Sequence, residues 1–91
     1  MNGINKEFQI IEKTRKKNFT FDYMLKKELE LWNNYVESTN DNPIINERNF
    51  EAWKAISFKL VGIAEFNDWG EDLLSEYISN VYPNIVGIKR K

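Results

Sequence analysis

Four carboxylates stand close together in the second half of the chain: Asp68, Glu71, Asp72 and Glu76. They are the densest set of side chains able to move a proton or hold a cation. Histidine and cysteine are absent. That removes imidazole and thiolate metal sites, Ser-His and Cys-His nucleophile pairs, disulfide frameworks and histidine pH switches. Acid-base chemistry would fall to carboxylates or lysines. Asp68, Asp72 and Glu76, however, recur every four residues, the spacing of one solvated helix face, and nothing places an opposing carboxylate across a cleft. Asn40-Asp41-Asn42 begins like a calcium loop, but Ile44 and Ile45 fill the next ligand and glycine positions. The glycines Gly3, Gly62, Gly70 and Gly87 are scattered, so no phosphate-cradling loop exists. We expect no catalysis, no metal and no cofactor.

Charge patterning says more than the formal net charge of −1. Residues 1–18 carry Lys6, Lys13, Arg15, Lys16 and Lys17 against Glu7 and Glu12, and the chain ends Lys89-Arg90-Lys91. From Asn67 to Asn84 the charges are all acidic, with Glu65 just before them. Two surfaces follow. Glu65, Asp68, Trp69, Asp72 and Glu76 would present an acidic helix to a basic protein, with carboxylates standing where a nucleic acid would offer phosphates. Alternatively Lys13, Arg15, Lys16, Lys17, Lys89, Arg90 and Lys91 would converge on a phosphate backbone, with Phe19 or Phe21 stacking on bases. A helix-turn-helix is disfavoured, since the recognition helix would be the acidic one.

Trp32 and Trp53 sit centrally on apolar faces and read as core. Trp69 lies on the border of the acidic helix, where an interface anchor would stand. Glu28 falls inside an apolar arc. It pairs with a lysine from a neighbouring helix, faces a partner, or reaches water at an edge.

These side chains must be positioned by helices. The spacing predicts a first helix over Thr20–Ser38, with Phe21, Leu25, Leu29, Trp32 and Val36 in line, Thr20 as N-cap and Phe19 stapled to Met24. Ser38 to Pro43 breaks it. A second spans about Glu47–Phe66, capped by Asn46 with Ile45 and Phe50 as staple. Its apolar residues run most of the way round, Ala52, Ala55 and Phe58 included, so it reads as the central helix, packed on more than one side. Gly62 within it costs about 1 kcal/mol relative to Ala and marks the close approach of another helix. A third begins with Asp68 and Glu71 in capping-box spacing and stops before Pro83, burying Trp69, Leu73, Leu74, Tyr77, Ile78 and Val81. At the ends, Ile4, Phe8 and Ile11 have helical spacing, yet Phe8–Ile11 and Ile85–Ile88 would also serve as strands.

The expected fold is an all-α bundle of three or four helices, with α+β, three helices and a two-stranded ribbon from the termini, as the alternative. Residues 1–91 form a single helical domain whose basic ends, 1–18 and 85–91, are left open between ordered and flexible. No apolar run approaches the roughly 20 residues of a membrane span, and the first residues carry no signal-peptide core. A cytoplasmic protein is expected. Abundant Asn, Ile and Lys beside scarce Ala and Arg hint at an AT-rich genome. The expected role is a non-catalytic protein-binding module, most concretely a small inhibitor or immunity-type factor among phage or bacterial accessory proteins. The alternatives are a nucleic-acid-associated accessory protein, and a homo-oligomeric structural module burying the broad face around Glu28.

Overall fold

A computed structural model describes residues 6–91 and shows an all-α helical bundle, with no strand among the described residues. Helices α1 (Lys6–Lys17), α2 (Phe19–Glu37) and α3 (Pro43–Phe66) are followed by α4 (Glu71–Glu76), a π-helical turn (Tyr77–Val81) and α5 (Tyr82–Val86). The ribbon alternative is overturned. Phe8–Ile11 lies within α1, and Ile85 and Val86 close α5. Ile4 falls outside the described residues.

The core is built by Ile11, Phe21, Leu25, Leu29, Leu60, Ala64, Leu74, Tyr77, Ile78 and Tyr82. Burying each large apolar side chain contributes about 1.5–3 kcal/mol. The central helix is α2, which touches α1, α3 and α5. That corrects the sequence reading of α3, which buries only Leu60 and Ala64 and leaves Ala52, Ala55, Phe58 and Gly62 exposed. No helix approaches Gly62, since a Cβ built there meets nothing within 4 Å. Between α2 and α3 a satellite cluster of rings continues the packing: Trp32 lies 4.9 Å from Trp53, Tyr35 5.2 Å from Phe50, and Phe50 5.8 Å from Trp53.

Helix starts differ from those predicted. Asn18, not Thr20, caps α2, its side chain accepting from the Phe21 N–H at 3.1 Å. Phe19 is 81% exposed, so the staple to Met24 does not form. Asn42, not Asn46, caps α3, and Pro43 begins that helix, where its missing N–H costs nothing. Ile45 is accordingly exposed and staples nothing. Asn46 is used elsewhere: its amide donates to the Tyr35 carbonyl and to Ser38 Oγ, locking the α2–α3 turn. Asp68 does not cap α4. It sits at φ 62° just beyond α3, with Asp68 N–H donating to the Glu65 carbonyl and Trp69 N–H to that of Ala64. This is a Schellman ending with aspartate where glycine is usual.

The last helical stretch does not stop before Pro83. A proline inside a helix lacks a donor and its ring strikes the carbonyl four residues back. The chain passes this obstacle by widening the preceding turn, so that Tyr82 N–H reaches back five residues to the Tyr77 carbonyl. The extra residue has a second effect. Residues five apart in an ordinary helix point about 140° away from each other, but here Tyr77 and Tyr82 are both fully buried with ring centroids 6.1 Å apart.

Candidate protein-binding surface

The acidic residues of α2 and those around the α3–α4 turn have different fates. Every carboxylate of α2 is ion-paired: Asp22 with Arg15, Glu28 with Arg90, Glu30 with Lys27 and Glu37 with Lys91. Glu65, Asp68, Glu71, Asp72 and Glu76 are exposed, and none makes an ion pair or a side-chain hydrogen bond among the described residues. They run from the last turn of α3, round the Asp68 turn, along the outer side of α4. Trp69 is the exception within the predicted set. It is half-buried against the core, 5.7 Å from the Phe21 ring, and ties the turn down. The large exposed ring here is Phe66, 90% exposed beside Glu65, with Phe58 65% exposed two turns earlier. Sequence reasoning placed Phe58 on an apolar side of α3 and overlooked Phe66. The available signal was the four-residue step from Phe58 through Gly62 to Phe66.

The basic residues are divided as well. Arg15 is held between Glu12 (2.7 Å) and Asp22 (3.2 Å), under Tyr77 and Tyr82, whose hydroxyls reach Glu12 Oε2 at 2.8 Å and Asp22 Oδ1 at 3.2 Å. Burial pushes the Tyr82 hydroxyl up to about 12, helped by the Asp22 charge, and raises that of Tyr77 further with the help of Glu12. For Glu12 burial acts upward, but hydrogen bonds from Arg15 and Tyr77 and the Arg15 charge outweigh it and hold the carboxyl below its ordinary value. This network joins α1, α2 and the π turn.

The basic C-terminal residues are not loose either. After the left-handed Gly87 (φ 70°), residues 88–91 run back along α2. Asn33 clamps them, its Nδ2 donating to the Lys89 carbonyl and its Oδ1 accepting from the Lys91 N–H, both at 3.0 Å. Trp32 Nε1 donates to the Lys91 carbonyl at 2.6 Å. Arg90 lies 5.0 Å from the Trp32 ring centroid and reaches Glu28 Oε1 at 2.5 Å, while Trp53 Nε1 donates to Glu28 Oε2 at 2.8 Å. The partner of Glu28 is thus an arginine of the C-terminal strap, not a lysine of a neighbouring helix. Glu28 is 4% exposed, so its carboxylate is enclosed within the chain. Of the predicted phosphate-binding set, Arg15, Arg90 and Lys91 are engaged internally, leaving Lys13, Lys16, Lys17 and Lys89 exposed without an ion pair among the described residues.

The cavity beside Glu28, Trp53, Leu60 and Leu74 measures about 220 Å³, below the roughly 300–1,000 Å³ of ordinary ligand pockets. A shallower groove of about 800 Å³ lies between α1 and α5, with Lys13 and Lys16 among its lining residues. No three carboxylates converge as metal ligands among the described residues, and no described helix is long and apolar enough to cross a membrane. No protein-family model, no curated protein and no solved structure matches the chain.

Proposed function

We propose that this is a cytoplasmic, non-catalytic protein-binding module that meets a basic partner with the acidic edge formed by Glu65, Asp68, Glu71, Asp72 and Glu76. The role is of the small inhibitor or immunity type found among phage or bacterial accessory proteins. One observation carries the reading: α2 neutralises all four of its carboxylates within the chain, whereas the five that follow one another along this edge have no cation partner among the described residues. A fixed row of unpaired carboxylates steers a basic surface into contact and repels acidic ones. Trp69 supports the edge from beneath by anchoring its turn. The nucleic-acid alternative is less well supported, because three of its seven cations are engaged internally.

The test is capture from a cell lysate with the wild type and with D72K/E76K, compared at matched helicity. Capture of basic proteins that weakens with salt and is lost in the reversal variant supports the proposal. Equal capture by the two forms overturns it.

A further inference from the structure

The strap formed by residues 88–91 belongs to no helix, and side chains do most of the work of holding it. Among the described residues its one backbone–backbone bond runs from Ile88 N–H to the Pro83 carbonyl, at the close of α5. Beyond that point Asn33 bridges the Lys89 carbonyl and the Lys91 N–H, and Trp32 donates to the Lys91 carbonyl. Contacts of this kind hold a linear segment by its main chain, and selectivity comes from the pockets for its side chains. Here the guanidinium of Arg90 lies over the Trp32 ring and meets the buried Glu28, while Glu37 takes the Lys91 ammonium.

The strap does not fill the site it occupies. The cavity of about 220 Å³ that Glu28 and Arg90 line continues past Trp53 and Leu60 to Glu71. A cavity of about 150 Å³ admits a benzene ring, so this one has room for a further side chain of arginine's size. Ser57, Ser75 and Ser79 line it too, and their hydroxyls make no hydrogen bond among the described residues. Arg90 and Lys91 meet Glu28 and Glu37, but no cation of the chain pairs with Glu71 among the described residues.

We propose that Glu28, Trp32, Asn33 and Glu37 form a recognition site for a linear basic segment of a partner protein, and that Lys89-Arg90-Lys91 occupies it as an internal competitor. A partner segment with arginine at its centre repeats each contact of the strap. A second basic side chain entering the cavity toward Glu71 adds contacts that the strap does not make. The strap itself thus shows the chemistry of the ligand, and the room beside it shows where a partner gains over it. The inference does not rest on the acidic-edge reading, since none of these four residues belongs to that edge.

The competitor sets the apparent affinity. A tethered segment acts at an effective concentration of about 1 mM. Closure by a factor of about 30, or roughly 2 kcal/mol, then gives the same segment added in trans a dissociation constant on the order of 30 µM for the opened site and about 1 mM for the closed one.

The experiment is calorimetric titration of the full chain with the peptide acetyl-Gly-Ile-Lys-Arg-Lys. R90A/K91A weakens the competitor and leaves the site intact, so it should bind the peptide about thirtyfold more tightly than the wild type. R90Q/K91A, which leaves Glu28 a neutral donor, takes its place with the same expectation if the first variant does not fold. Adding N33A should weaken binding about tenfold, and the peptide with alanine for arginine should not bind. Acetyl-Gly-Ala-Ser-Arg-Lys, which shares only Arg-Lys with the strap, should bind within about tenfold of the strap peptide. Equal binding by the wild type and the opened variant, or no loss with N33A, overturns the proposal. So does failure of the unrelated peptide to bind, because the contact would then be private to this chain.

Discussion

At the scale of single residues, the buried charges are bound up in internal contacts. Among the described residues the two oxygens of Glu28 reach Arg90 and Trp53. R90A strands the carboxylate in a nearly closed site and should cost about 3 kcal/mol. Replacing both partners by apolar residues should recover much of that loss, as urea unfolding of the single and double variants would show. The tyrosines set a pH limit. Tyr82 titrates near 10 when unfolded and at about 12 when folded, so the neutral hydroxyl favours the fold. Its contribution is complete below pH 10 and is lost as pH rises through about 12, and Tyr77 acts in the same direction. Unfolding midpoints should therefore fall in that alkaline window, with two of the four tyrosines ionising only as the protein unfolds. Glu12 works the other way: its lowered pKa stabilises the fold above its ordinary value of 4.5, and the benefit fades as acid is added. None of these roles was legible from residue type alone, because each partner lies on another element.

Among the elements, faces were legible and ends were not. The line Phe21, Leu25, Leu29 is buried as its spacing predicts, since a helical period is a local property. Caps were misjudged because several Asn, Ser and Thr residues flank each start, and packing decides which is used. N18A should cost about 1 kcal/mol while T20A, within α2, should be close to neutral, and thermal melts of the pair would check it. Asp68 holds a left-handed conformation that costs an L-residue about 1 kcal/mol, so D68G should raise stability by up to that amount. Pro83 misled for a different reason. It does forbid an ordinary turn, but the fold accommodates it by widening the helix, a solution that turns Tyr77 and Tyr82 together and has no local sequence signature.

For the whole molecule, the 45 × 27 × 22 Å shape follows from one core at the α1, α4 and α5 end and an extended α2–α3 hairpin with its ring cluster. The C-terminal strap joins them. Deleting residues 88–91 removes the Asn33 clamp, the Trp32 bond and the Arg90 contact together, and should lower Tm by about 10 °C, corresponding to roughly 2 kcal/mol for a domain of this size. The sequence by itself determined the all-α class, most of the inward faces, and the lack of imidazole and thiol chemistry, because composition and a period of 3.6 residues require no knowledge of distant partners. Tertiary structure alone decided that Arg90 closes over Glu28, that Trp69 turns inward while Phe66 stays out, and that one side of α3 lies uncovered. Those outcomes depend on which apolar faces find each other across tens of residues, and identical helical patterns are compatible with several such pairings.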